Sequence, residues 1–325
     1  MKKRISILLA AVLMIVCTAA CNNGSTAIVD DGALKIVATI FPEYDWIKNI
    51  VGDNTDNVNI TLLLDSGVDL HSFQPTVDDI ITISTCDLFI YVGGESDKWV
   101  DDVLQDAVND NMAVINLLDV LGDMAKEEEL KEGMQGSESK SGRNDEPEYD
   151  EHVWLSLKNA QLFCGVIASE LGELDPAHAD EYKSNAESYC FKLGELDSEY
   201  QNTVDSSSVK TLVFGDRFPF RYLTDDYGIE YYAAFSGCSA EVEASFSTVT
   251  FLAQKIDELS LPCVMTIESG DGKLAETIIA NTGSKDQKIL VLDSMQSYSR
   301  TDLETGAEYL KAMENNLAVL KEALN

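Results

Sequence analysis

Basic residues are scarce in this sequence, and histidine is scarcer still. The 325 residues include 23 Lys and Arg against 57 Asp and Glu, so the formal net charge at pH 7 is −34. A chain this acidic repels phosphate backbones, and we therefore expect it to bind no nucleic acid. The same acidity favours solubility and attracts cations. With only 3 histidines in the chain, each one is a residue to account for.

Long apolar runs and paired cysteine motifs are also missing beyond the N-terminal segment. No later segment is apolar enough to span a membrane, and no Cys-x-x-Cys pair occurs. The cysteines that remain are odd in number, and we interpret them as buried free thiols rather than a disulfide framework. A zinc–thiolate site therefore has little support. These cysteines are Cys86, Cys164, Cys190, Cys238 and Cys263.

The N-terminal segment is typical of an export signal. Basic residues at positions 2–4 precede an apolar run over 5–16, which is shorter than the ~20 residues of a membrane-spanning helix. A cysteine directly after Ala-Ala is similar to a bacterial lipobox. We predict a lipoprotein signal peptide over 1–20, a lipidated Cys21 and a flexible tether over 21–33. The alternative is an ordinary cleaved signal that releases a soluble protein.

Strand-like runs alternate with helical stretches in both halves of the chain. The predicted strands cover 34–40, 58–64, 87–92, 112–117, 209–214, 230–235, 263–267 and 288–292. Such alternation predicts βαβ units and parallel sheets. We expect an α/β fold of two lobes, each a mostly parallel sheet flanked by helices, over 34–156 and 206–325.

Two segments between these runs break the alternation. Residues 122–151 are rich in acids, Gly and Ser, so we expect a mobile loop within the first lobe. Residues 157–205 are helical. An apolar stripe predicts one long helix over 176–204, with Pro176 in its first turn, as a rigid connector between the lobes.

Two of the histidines lie in distinctive settings. His71 begins the segment HSFQPT, in a loop that follows a predicted strand, where parallel sheets collect their functional residues. His152 lies in the segment DEHVWL, at the end of the acidic loop. A neutral imidazole can ligate a metal, although a lone histidine is more often a packed structural residue. We expect His178 to be exposed and structural.

Together these features resemble the metal-binding lipoproteins of bacterial zinc and manganese ABC importers, from about Leu34 to the C-terminus. Segment 71–76 is similar to the family's His-x-aromatic-(Glu/Gln)-Pro-(Thr/Ser) motif, segment 150–155 to its Asp-Pro-His-hydrophobic-Trp-Leu motif, and segment 309–317 to its closing helix. The resemblance implies a metal held between the lobes by His71, His152 and two further ligands. Zinc-specific members carry a histidine-rich loop, whereas here the loop is acidic.

The further ligands are ambiguous. Counting forward from the preceding strand places Asp216 at the family's third ligand. Counting back from the next helix places Arg217 there, which would require a one-residue insertion. Because arginine cannot ligate a cation, we favour Asp216 over the alternative that it only pairs with a nearby arginine. The fourth ligand is Glu268 or Asp271, unless these acids serve a capping or turn role.

The resemblance implies capture rather than catalysis. We expect a monomer, anchored by lipid on the extracellular or periplasmic face of the cell membrane, that binds zinc or manganese and delivers it to an ABC permease. Two imidazoles and two carboxylates suit either metal, and we favour zinc slightly. The alternatives are a metal-dependent hydrolase, for which no His-Glu-x-x-His motif is present, and a surface adhesin.

Overall fold

The protein is described by a computed structural model, which covers residues 32–135, 148–239 and 243–325. The predicted signal peptide, Cys21 and most of the tether lie outside the described residues, as does the middle of the acidic loop at 136–147. None of the helices in the described ranges combines the length and apolar composition that a membrane span requires.

The first half of the chain forms a four-stranded parallel sheet in the order β2-β1-β3-β4. Its strands are β1 (Leu34–Ala38), β2 (Val58–Leu62), β3 (Leu88–Tyr91) and β4 (Ala113–Asn116). β1 lies at the centre, with Ile36 opposite Ile60 of β2 and Leu88 of β3. These runs are apolar and rich in β-branched residues because a parallel sheet covered by helices buries both of its faces.

The second half repeats this arrangement as a sheet in the order β6-β5-β7-β8. Its strands are β5 (Thr211–Phe218), β6 (Glu230–Ser236), β7 (Cys263–Ile267) and β8 (Lys288–Leu292), all parallel. All eight predicted strands are therefore present, and the prediction of two parallel α/β sheets is confirmed.

Eleven α-helices accompany the two sheets in the described part of the chain. The helix α2 begins after Thr76 because the side chains of Thr76 and Asp79 each accept a hydrogen bond from the other's backbone amide. The helices are α1 (Phe41–Val51), α2 (Val77–Ser84), α3 (Trp99–Gln105), α4 (Leu117–Leu121), α5 (Leu157–Leu174), α6 (Ala179–Ser206), α7 (Arg221–Tyr227), α8 (Phe246–Leu259), α9 (Lys273–Ala280), α10 (Arg300–Glu304) and α11 (Tyr309–Ala323).

The long helix predicted over 176–204 is α6, with 28 residues. It begins at Ala179 because Asp175 ends α5 and then organises a turn. The Asp175 carboxylate accepts hydrogen bonds from His178 Nδ1 at 2.7 Å and from the Tyr182 hydroxyl at 2.8 Å. Pro176 therefore lies in this turn rather than in the first turn of the helix. His178, which we expected to be structural, serves this turn.

The strand β5 is longer than predicted and irregular. Phe214 pairs with Ala233 and Arg217 with Phe235, so β5 advances three positions while β6 advances two. The extra residue is a β-bulge. Gly215 permits it, because a Cβ there would lie 2.8 Å from Ala275 Cα. The bulge lies at the positions where the two counts along the sequence disagreed, Asp216 and Arg217.

The main hydrophobic core runs through both halves of the chain. It includes Trp46 of α1, Trp154 after the acidic loop and Tyr309 of α11, none of which is exposed to solvent. Leu34–Asn325 form one compact unit. The lobe boundaries at 156 and 205 stay a prediction, because this unit contains both sheets and the helices between them.

The described ends of the acidic segment are hydrogen-bonded. The Asp150 amide donates to the Lys126 carbonyl, and the Gln135 amide donates to Ala234 of β6. The segment predicted as a mobile loop is therefore attached at both described ends, while its middle lies outside the described residues.

Candidate metal site

Two short 3₁₀ turns bring His71 and His152 together. His71 follows β2 in a short 3₁₀ turn, Leu70–Ser72, and His152 precedes the 3₁₀ turn Val153–Leu155. Their Nε2 atoms are 3.2 Å apart. Two ligands about 2.05 Å from a tetrahedral zinc ion are roughly 3.3 Å apart, so the pair has the separation that one shared metal ion requires.

A carboxylate lies behind each of the two imidazole rings. Asp150 Oδ1 is 2.9 Å from His152 Nδ1, and Glu151 Oε2 is 3.2 Å from His71 Nδ1, which also lies 2.8 Å from Ser96 Oγ. The Asp150 carboxylate accepts a hydrogen bond from His152 Nδ1, and the negative charge of Glu151 lies beside His71 Nδ1, so both favour the tautomer with the proton on Nδ1 and leave the Nε2 lone pair free. Both free lone pairs then point into the site.

Neighbouring charges change the pKa of His152 and of Glu151. Burial lowers the pKa of His152, but the charge and hydrogen bond of Asp150, with the charge of Glu151, outweigh burial and raise it. Burial raises the pKa of Glu151, but its hydrogen bond and charge interaction with His71 outweigh burial and lower it. His152 is fully buried, so a cation at its Nε2 would be shielded from solvent.

A third atom that could bind a metal lies beside the two imidazoles, in the loop after β8. Gln296 Oε1 is 3.2 Å from His152 Nε2. The amide orientation follows from its neighbours, because Gln296 Nε2 donates to Ser294 Oγ at 2.9 Å and that hydroxyl donates to Glu268 at 2.8 Å. Gln296 Oε1 therefore faces the lone pair of His152 Nε2 with no hydrogen between them. A cation bound to both atoms would remove the repulsion between them.

Cys238 completes the group, and sequence reasoning missed it. Its Sγ and one ring nitrogen of each of His71 and His152 lie within 4.8 Å of one another. Burial, followed by the charges of Glu151 and Asp150, raises the pKa of the thiol well above its ordinary value. A metal that binds here must therefore displace the thiol proton. The one sequence signal was that Cys238 follows a predicted strand without belonging to an apolar run.

The three acids predicted as ligands do not join this group in the described part of the chain. Asp216 accepts from the Arg217 amide at 2.8 Å and more weakly from Ile267, and burial raises its pKa. Asp271 is exposed and paired with Lys273, which lowers its pKa. Asp216 therefore bonds to backbone amides, while the neighbouring guanidinium of Arg217 pairs with Asp69 instead. Asp271 accepts a hydrogen bond from the Lys273 amide in the turn before α9.

Glu268 lies closer to the site but contacts it through an intermediary. It accepts hydrogen bonds from the backbone amide and the hydroxyl of Ser294, both at 2.8 Å, and Ser294 orients Gln296. Burial, together with the charge of Asp293, raises the pKa of Glu268. Glu268 therefore supports the amide that faces His152.

Replacing Glu151 with glutamine should weaken zinc binding by about 10-fold to 100-fold, the usual effect of removing a partner of a metal-binding histidine. The change removes the negative charge that lies 3.2 Å from His71 Nδ1 and favours a proton there. Competition titration against a chelator measures the effect. The matched control is Glu95→Gln, which alters an exposed acid that pairs with Lys98 in the loop between β3 and α3. Equal affinities of the two variants would contradict this role.

Comparison with known proteins agrees with the geometry. Residues 36–323 match the family described as zinc-uptake complex component A, periplasmic (ZnuA). The zinc-binding lipoprotein AdcA of Streptococcus pneumoniae is 29% identical over 326 residues, which cover 98% of this chain and 61% of that protein. The high-affinity zinc uptake system protein ZnuA of Bacillus subtilis is 28% identical over 312 residues, covering 94% and 93% of the two chains.

The fold is also shared with a solved structure. The Zn(II)-bound ZnuA-like domain of Streptococcus pneumoniae AdcA superposes with a TM-score of 0.70 at 26% identity, covering 90% of this chain and 99% of that chain. This chain spans about three fifths of the full streptococcal relative. Since the family match covers most of the sequence, the chain belongs to the family of the periplasmic zinc-uptake component A.

Proposed function

We propose that this protein captures zinc outside the cell membrane and delivers it to an ABC-type permease. The observation that carries the proposal is the 3.2 Å separation of two Nε2 atoms, each on a ring backed by a carboxylate. Relatives named for zinc binding and zinc uptake support it. The anchor would be a lipid on Cys21, as the name of the streptococcal lipoprotein suggests.

The proposed ligands are His71, His152 and Cys238, with Gln296 as a neutral oxygen donor. This set supports zinc over manganese, because thiolate and imidazole are softer ligands than the carboxylates that suit manganese. Asp216, Glu268 and Asp271 have other hydrogen-bond partners and are not ligands in this proposal. With four protein donors no position is left open for an activated water, so the site holds metal without catalysing hydrolysis.

The direct test is metal content and competition titration of the protein beginning at Asn22. We expect one tightly bound zinc ion per chain, with binding lost in His71→Ala and His152→Ala because each removes a nitrogen ligand. Asp216→Ala and Asp271→Ala should keep it. The control is His178→Ala, whose imidazole serves the turn before α6.

Failure of the unaltered protein to bind any transition metal tightly would overturn the proposal. Tight binding that survives both His71→Ala and His152→Ala would place the metal elsewhere. Preference for manganese over zinc in the same titration would contradict the thiolate ligand, and so the zinc assignment.

A further inference from the structure

The β-bulge in β5 turns one basic side chain toward the first sheet. Asp216 is held by backbone amides of its own half, whereas the next residue, Arg217, reaches the loop after β2. Arg217 Nη2 donates to Asp69 Oδ2 at 2.8 Å. Arg217 is also one of the two positions at which the family resemblance placed a metal ligand. In this chain that position makes an ion pair across the site.

The partner of Arg217 is directly attached to a proposed metal ligand. Asp69 caps the 3₁₀ turn that carries His71, and its Oδ1 accepts a hydrogen bond from the His71 backbone amide at 3.0 Å. One carboxylate thus binds the second sheet through Oδ2 and fixes the His71 backbone through Oδ1. A displacement of Arg217 would therefore shift the His71 backbone through the Asp69 side chain alone.

The pair is shielded from water. The side chains of Arg217 and Asp69 are 19% and 16% exposed. Charge-assisted hydrogen bonds are stronger than neutral ones, and partial burial reduces their screening by salt. The contact is therefore stronger than a fully exposed ion pair.

We infer that Arg217 is a positioning residue, which holds His71 through Asp69 against the second sheet and so slows the release of bound zinc. The inference rests on the proposed function, since it requires that His71 ligates zinc. Without the pair, the turn carrying His71 can move away from His152 while the other ligands stay in place.

A second ion pair provides a matched control within the same loop. Arg300 binds Asp65 through its guanidinium, with Nε donating at 3.0 Å, so it also joins the loop after β2 to the second half of the chain. The Arg300 side chain is 74% exposed. In the described part of the chain, Asp65 forms its hydrogen bonds with Leu63 and Arg300, and none of them reaches the His71 turn. Replacing either arginine removes one side-chain ion pair between the two halves of the chain. Only the Arg217 pair is attached to the turn that carries a proposed metal ligand.

The experiment compares Arg217→Gln with Arg300→Gln in the protein beginning at Asn22. Zinc-loaded protein is mixed with excess chelator in a stopped-flow instrument, and the release rate is recorded. We expect release about tenfold faster in Arg217→Gln, in line with the effect of residues that orient metal ligands, and little change in Arg300→Gln. Arg217→Lys should restore part of the difference, since it keeps the charge but not the planar fork.

Two further measurements separate positioning from general loss of structure. Asp69→Asn keeps an oxygen for the His71 amide but removes the ion pair, so adding Arg217→Gln to it should cause no further acceleration. The cobalt-substituted protein should show an altered ligand-field spectrum in Arg217→Gln and not in Arg300→Gln.

Equal release rates for the two arginine variants would overturn the inference, as would fully additive effects of Asp69→Asn and Arg217→Gln. A protein that binds no zinc at all would instead contradict the proposed function. These failures are distinguishable, because the first requires an unaltered protein that loads and holds zinc.

Discussion

Replacing Cys238 with serine should weaken zinc binding by about two orders of magnitude. The substitution exchanges a thiolate, a strong ligand for zinc, for a hydroxyl that is rarely deprotonated. The group of His71, His152 and Cys238 would then retain two nitrogen ligands and the Gln296 oxygen. Competition titration against chelators of graded affinity measures the loss, and manganese binding should change much less.

Cobalt substitution gives a second, spectroscopic readout of the same ligand. A thiolate bound to Co²⁺ produces an intense charge-transfer band in the near ultraviolet, which should be present in the unaltered protein and absent in Cys238→Ser. The matched control is Cys190→Ser, because Cys190 is also half-buried and free but lies on α6 with its Sγ facing the Gln161 carbonyl. If Cys238→Ser kept both the band and the affinity, Cys238 would not be a ligand.

The fold could be predicted from the sequence because its signals are local. Apolar runs of β-branched residues separated by helical stretches identified all eight strands. Strand β5 extends beyond its predicted end at position 214 because a bulge, which Gly215 permits, lets the pairing with β6 continue. A bulge depends on the neighbouring strand and helix, neither of which is encoded locally.

The site was predictable only in part. His71 and His152 lie in motifs that are distinctive along the chain, and the structure places them in contact. Cys238 and Gln296 lie in short segments without such a motif, and they reach the histidines only because β6 and β8 end at the same edge of one sheet. The acids that the resemblance favoured bond to other partners in the structure, such as Lys273 for Asp271.

This geometry should also make zinc release strongly dependent on pH. Burial and the charges of Glu151 and Asp150 raise the pKa of the Cys238 thiol well above its ordinary value, so the metal-free protein holds that proton throughout pH 5–8. Each zinc ion that binds must expel it. Expulsion of one proton lowers the affinity about tenfold for every unit of acidification.

His152 makes the dependence steeper at the acidic end. Its pKa is raised, chiefly because Asp150 outweighs the effect of burial, so its imidazole becomes protonated earlier on acidification than an ordinary histidine. Protonation stabilises the metal-free form, and acidification therefore favours release. Between pH 8 and pH 5 we expect the zinc affinity to fall by roughly four orders of magnitude, about three from the thiol and the rest from imidazole.

Affinity measured by competition at several pH values tests this dependence and counts the protons. The slope of log affinity against pH should exceed one below neutrality in the unaltered protein, and Cys238→Ser should lose about one unit of slope across the whole range. Circular dichroism at each pH checks that the metal-free protein stays folded. A slope that is the same in both proteins would mean that no thiol proton leaves when zinc binds. The site would then bind metal through imidazoles without a thiolate. The preference for zinc over manganese, which was argued from the thiolate, would no longer be supported.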